Sequence, residues 1–246
     1  MNDERARFPH GTSNTNGANN TFIGVGSGIL NTDGGDNSFV GAGAGQSNDI
    51  GQRNSFFGRS AGASNTADNN SFFGANAGIA NTTGSGNVFV GGGAGATNNS
   101  GAFNTFVGVD AGSNNARGQA NVIVGASAGL GNTVGTNNTL LGSGADVRPA
   151  GGVSPVNMTA VGSNATVSKE NSLVLGSING VGNGIADTSV GIGTPTPKAR
   201  LDVTGGNILV GSPGQGIILK SPDGLTCKLF SIDNAGALAL ASVPCP

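Results

Sequence analysis

The sequence predicts an all-β fold, a parallel β-solenoid with coils of 16–17 residues that ends in a small antiparallel β foot. Three observations carry this reading. A five-residue phrase recurs eight times at nearly constant spacing, two adjacent apolar columns run through those copies, and Gly and Asn fill the positions where the chain must turn. Of 246 residues, 47 are Gly and 31 are Asn, which excludes a helical protein, because Gly costs about 1 kcal/mol per helical position relative to Ala. Collagen is excluded because Gly does not fall at every third position. A net charge of −2 and no Lys/Arg cluster leave no footprint for nucleic acid. No apolar run approaches the roughly 18 residues of a membrane span, so no membrane insertion is expected of this segment.

The phrase reads Asn, a small or β-branched residue, two apolar residues and Gly. It begins at Asn20-Thr21-Phe22-Ile23-Gly24 and returns with its Gly at Gly41, Gly58, Gly74, Gly91, Gly108, Gly125 and Gly142, so successive spacings are 17, 17, 16, 17, 17, 17 and 17 residues. Half a repeat later stands a small residue and Gly, at Ser27-Gly28, Ala44-Gly45, Ala61-Gly62, Ala77-Gly78, Ala94-Gly95, Ala111-Gly112 and Ala128-Gly129; the eighth copy has Ala145-Asp146 instead. A corner Asn follows at Asn31, Asn48, Asn65, Asn81, Asn98, Asn114 and Asn132. Each repeat therefore predicts a short strand, a Gly turn, a second short extended piece and an Asn/Gly corner, with Gly and Asn tolerating the positive φ of the corners. The period is too short for helical repeats or propeller blades. Stacked about 4.8 Å apart, eight coils span roughly 40 Å. The Asn columns read as side-chain amide ladders and corner caps.

In register, Phe22, Phe39, Phe56, Phe72, Phe89, Phe106, Ile123 and Leu140 form one structural core column. Ile23, Val40, Phe57, Phe73, Val90, Val107, Val124 and Leu141 form a second, one residue later. Adjacent strand residues point to opposite faces, so one column fills the coil and the other faces out; the period alone does not say which. An apolar stripe along the outside marks an interface, and self-association around an axis would cover it.

The phrase Asn-Ser/Thr-Phe-Val-Gly-x-x-Ala-Gly resembles the head repeats of trimeric autotransporter adhesins and similar repeats of phage tail fibres. The resemblance covers residues 14–146 strictly, and two looser copies follow, Thr159-Ala160-Val161-Gly162 and Ser172-Leu173-Val174-Leu175-Gly176, whose glycines are 14 apart. It implies a left-handed β-roll, a homotrimer packed through one apolar face, and an extracellular place on a bacterial surface or a virion tail fibre. A cell-surface glycan or extracellular matrix protein is the kind of ligand it implies.

The remaining organisation is a flanking segment at 1–13, looser coils at 147–186 with a loop inserted around 148–155, a linker at 187–206, and the foot at 207–246. The linker stretch Val190-Gly191-Ile192-Gly193-Thr194 through Leu201-Asp202-Val203 resembles one common in tail fibres. In the foot, Gly216–Lys220 and Leu225–Ile232 flank the turn Ser221-Pro222-Asp223-Gly224, and Asp233–Gly236 turns again into Ala237–Val243. This places Cys227 opposite roughly residue 240. Cys227 and Cys245 are the only cysteines, and a disulfide pinning the C-terminus is the preferred reading, with two unrelated thiols or an interchain bond as alternatives.

No cofactor or metal site is expected, and the chain does not read as an enzyme. His10 is the single histidine and reads as solvated, and the acids Asp33, Asp36, Asp49, Asp68 and Asp110 fall on no common column. Asp33-Gly34-Gly35-Asp36 reads as a polar turn, since no calcium-binding nonapeptide recurs. Two other readings remain. An ice-binding solenoid is suggested by the hydroxyls of Thr21, Ser38, Ser55, Ser71, Thr105 and Thr139, which Val88 and Val122 interrupt. A polysaccharide-processing trimeric β-helix would need acids paired across chains.

Overall fold

The computed structural model describes residues 11–149, 154–178, 180, 181, 184, 187–205, 208, 216–223, 225–233 and 235–245. His10, residues 1–10 of the flanking segment, 150–153 of the inserted loop, and the turn residues Gly224 and Asn234 lie outside them. The chain divides into two compact units, residues 1–190 and 191–246.

The first unit is a parallel β-solenoid. Its strands are β1 (Thr21–Ile23), β2 (Ser38–Val40), β3 (Ser55–Phe57), β4 (Ser71–Phe73), β5 (Val88–Val90), β6 (Thr105–Val107), β7 (Val122–Val124), β8 (Thr139–Leu141), β9 (Asp146–Val147), β10 (Met158–Val161), β11 (Thr166–Val167) and β12 (Ser172–Leu175). Ten of them form one sheet in the order β1 to β8, then β10 and β12. The register sets like on like, Phe39 beside Phe56 and Phe56 beside Phe72. The looser copies continue this sheet, with Ala160 beside Leu140 and Val174 beside Ala160.

The Phe column lies inside. Phe39, Phe56, Phe72, Phe89 and Phe106 are fully buried, as are Ile123 and Leu140, while Phe22 at the sheet edge is partly buried against them. The rings stack with centroids 4.7–4.9 Å apart and planes 5–8° apart from Phe39 to Phe106, the spacing the strands impose. Each such burial stabilises by about 1.5–3 kcal/mol. Facing the rings is a second buried column of Ala44, Ala61, Ala77, Ala94, Ala111 and Ala128, each followed by Gly. A Cβ on Gly45 would sit 2.4 Å from a Phe39 ring carbon, so a large residue in the strand requires Gly across the coil.

That coupling explains where the second extended piece expected in every repeat is absent. From the first coil through the seventh, residues after the strand Gly run as successive turns, tied to the next coil by bonds such as Gly45 N–H to Ala61 O at 2.9 Å. Among the described residues a second strand appears only as β9 and β11, which pair with each other in parallel. In those coils the column residue shrinks to Leu140 and then Ala160, and Asp146 and Thr166 replace Gly. The Ala145-Asp146 irregularity of the eighth copy is thus a repacking of the coil.

Two buried Asn columns hold the corners. In the first, each side-chain oxygen accepts the backbone N–H of the equivalent Asn one coil on, as in Asn54 N–H to Asn37 Oδ1 at 2.9 Å and Asn87 N–H to Asn70 Oδ1 at 2.9 Å. In the second, amides form a ladder: Asn48 donates to Asn31 at 2.9 Å, Asn65 to Asn48 at 3.1 Å, Asn81 to Asn65 at 2.6 Å and Asn98 to Asn81 at 2.6 Å. Both columns converge on one carbonyl per coil, so Gly84 O accepts Asn70 Nδ2 at 2.9 Å and Asn81 Nδ2 at 2.8 Å. The corner Asn of the sixth coil is Asn115, which is fully buried, and not Asn114, which is exposed and bonds Leu130 O at 3.0 Å. The ladder breaks there. Asn98 Oδ1, both amide atoms of Asn115 and Asn132 Nδ2 are buried without partners. Asn115 turns its nitrogen toward Gly118 where the neighbouring coils turn oxygen, and a half-turn of its amide rejoins Asn98 to Asn132.

The inserted loop is pinned at both ends. Arg148 N–H bonds Val167 O at 2.9 Å, and Pro155 O accepts Thr136 N–H at 2.9 Å and Asn138 Nδ2 at 3.0 Å.

In the linker region, β13 (Val190–Ile192) and β14 (Leu201–Val203) form a two-stranded sheet. The foot is an antiparallel sheet of β15 (Ile217–Lys220), β16 (Cys227–Ile232) and β17 (Leu238–Val243), in that order. Its register sets Cys227 opposite Val243, three residues beyond the position expected from the sequence. Cys245, two residues past β17, closes a disulfide with Cys227 across a Cα separation of 5.2 Å.

Candidate interaction face

Three-residue strands leave one side chain in and two out. Their outer residues make two parallel columns on the solvent side of the ten-stranded sheet. One carries Thr21, Ser38, Ser55, Ser71, Val88, Thr105, Val122 and Thr139, all exposed or half-buried. The other carries Ile23, Val40, Phe57, Phe73, Val90, Val107, Val124 and Leu141, and the register continues it through Val161 to Leu175. Phe57 and Phe73 are 39% and 40% exposed, and their rings stack at 5.0 Å and 6°. Val40, Val107 and Leu141 are half-buried. Ten residues at strand spacing make an unbroken apolar stripe about 43 Å long. Singly exposed apolar residues are ordinary; a continuous stripe on a sheet face is the kind of patch that marks a candidate interaction site.

The foot has the same property. Ile217, Ile218 and Leu219 are all exposed, so both sides of β15 present apolar groups, and Leu225, Ile232, Leu238 and Leu240 are exposed as well. Three strands alone are marginal in water, and the disulfide is the strongest internal tie of this sheet.

Near the end of the solenoid, Val161 and Leu175 of the apolar column, with Ser163, Ser177, Thr188 and Val190, line an open cleft of about 520 Å³. Asp146 is the one strongly buried acid among the described residues. Burial pushes its carboxyl above the usual range, against hydrogen bonds from the N–H groups of Gly131 and Val147 and the nearby Arg148 charge. Its Oδ1 accepts Gly131 N–H at 2.8 Å, which makes it a turn cap. Among the described residues no group of three or more His, Cys, Asp or Glu side chains is placed to hold a metal ion, and no helix is long and apolar enough to cross a membrane.

One exposed side chain stands apart from the repeat pattern. Phe103 occupies a corner where other coils carry Asp36, Arg53, Asn69 or Asn137, and it is 68% exposed. The sequence signal for it is a Phe out of phase with the aromatic column. No protein-family model matches the chain, and no curated protein matches it in sequence.

Proposed function

We propose that this chain is a structural and attachment segment of a homotrimeric surface fibre, an adhesin head or stalk or a tail fibre, in the extracellular space. The observation that supports the reading is the apolar stripe from Ile23 to Leu175 on the outer face of the sheet, together with the uncovered apolar foot. Three left-handed rolls packed through the stripe share one dry core, so a thin coil with few apolar residues becomes stable. The in-register amide ladders and stacked rings give stiffness along the axis. A stiff trimer holds three identical surfaces at fixed separation, and weak contacts to a glycan or matrix protein add by avidity, which raises apparent affinity by about 10²–10⁴.

Binding of the fluorescently labelled protein to arrays of glycans and purified matrix proteins tests this. The expected result is a restricted set of bound ligands whose signal weakens at least tenfold once the trimer is dissociated. Silence across both arrays would contradict an attachment role.

A further inference from the structure

We propose that Phe103 is the stacking platform of a saccharide site on the solenoid corner, taking a neutral pyranose with an apolar C–H face, of which galactose is the type. The proposal deepens the attachment reading and rests on it for its ligand class; the site itself is complete within one chain.

The corner residue before each strand Asn is held at positive φ in every coil, and Asn, Asp or Gly fills it in seven of ten coils from Asn19 to Asn171. These residues accept that conformation; a bulky aromatic does so only under strain. Of the three exceptions, Ala120 is small and Arg53 is tied by its Nε to Asn69 Oδ1 at 2.8 Å. Phe103, at φ 58°, has neither excuse, and at 68% exposure it gains little from burial. A strained, exposed aromatic contributes less to stability than Gly would at the same place, so its use is outside folding.

The surroundings specify the ligand. The Cδ1–Cε1 edge of the ring leans across Gly86 in the preceding coil, where a Cβ would lie 2.9 Å from Cδ1, and the same corner of the next coil is Ala120. The ring itself fills the space over Gly86, so the side open to another ring is the one toward the small Ala120. Phe103 N–H is bonded to Ser85 O at 3.0 Å, which fixes the backbone. The column beside the ring carries Ser85 one coil before and the exposed Gln119 one coil after, a hydroxyl and an amide but no charge. The nearest charges in these columns, Asp68 and Arg53, lie two and three coils before the ring and pair with each other at 3.5 Å, so a charged ligand meets no unpaired counter-ion there, and a purely apolar one would bury the neighbouring polar groups unpaired. A pyranose, roughly one coil spacing across, meets both demands: its C–H face stacks on Phe103 while its hydroxyls reach Ser85 or Gln119.

Saturation-transfer NMR of the full-length protein with methyl β-D-galactopyranoside tests the site. Transfer is expected to be strongest to the protons of the apolar sugar face. Phe103→Ala is expected to weaken binding about tenfold or more, and Phe103→Trp to retain it. Phe103→Gly is expected to abolish binding while raising the melting temperature, a split that a structural role would not produce. Absence of transfer in the wild-type protein, or transfer unchanged in Phe103→Ala, would overturn the proposal. So would a change of oligomer mass in Phe103→Ala, which would assign the ring to an interface between copies. Array ligands that bind regardless of Phe103→Ala would remove this site and leave the attachment reading intact. Galactoside binding with silent arrays would do the reverse.

Discussion

Replacing Gly91 by Ala is expected to destabilise the solenoid by about 3 kcal/mol or more, while Gly92→Ala, one residue on, changes stability by less than about 0.5 kcal/mol. Gly91 has φ +135°, and a Cβ there would sit 2.3 Å from Gly108 O in the next coil. Both halves of the problem are backbone, so no side-chain rotation relieves them. Gly92 has an ordinary φ, and its nearest neighbour, Ala75 O, is 3.9 Å from a built Cβ. Because each coil touches only its neighbours, damage at one joint divides the array into two shorter blocks. Circular-dichroism melts of the two variants should show a lowered, split transition for Gly91→Ala and the wild-type curve for Gly92→Ala.

Asn81→Asp carries the second large effect. The substitution is isosteric, so it changes hydrogen bonding without opening a cavity. Asn81 Nδ2 donates to Asn65 Oδ1 at 2.6 Å and to Gly84 O at 2.8 Å, and its Oδ1 accepts from Asn98 at 2.6 Å. A buried carboxylate donates nothing and sets the oxygen that replaces Nδ2 against two others, at a cost of about 3 kcal/mol or more. Burial raises the pKa of the new acid, so its protonated form suits the fold. Stability is therefore best at low pH and falls as pH rises through the folded-state pKa. Asn114→Asp, at the exposed neighbouring position of the sixth coil, loses one solvent-exposed bond to Leu130 O and should cost about 1 kcal/mol or less. Denaturant titrations of both variants at acid and neutral pH would show the contrast, and equal effects at the two sites would refute the ladder account.

The solenoid was legible because its period is nearly strict: eight phrases 16–17 residues apart set the strands and their parallel pairing, and Ser-Pro-Asp-Gly with Asp233–Gly236 marked the antiparallel foot. The choice between adjacent apolar columns was not legible, since Phe22 and Ile23 columns are equally regular in sequence. What separates them is Gly28 and its equivalents, which face the first column across the coil. The Asn114–Asn115 pair misled for a similar reason: two adjacent Asn residues satisfy the same pattern, and only the corner geometry buries one. Extended structure expected after each strand Gly gave way to turns, because the Phe rings, and Ile123 in the seventh coil, leave no room for side chains opposite; the second strand appears in the coils of Leu140 and Ala160. Phe103 is invisible to repeat averaging, since it departs from the pattern in one coil alone.

Covering the Ile23–Leu175 stripe with other copies of the chain is the claim on which the rest depends, and molar mass by light scattering during size exclusion measures it directly. The expected mass is three times the 23.7 kDa of the chain, falling to a single chain when Phe57 and Phe73 are both replaced by Glu. A well-folded wild-type protein eluting at 23.7 kDa would contradict it.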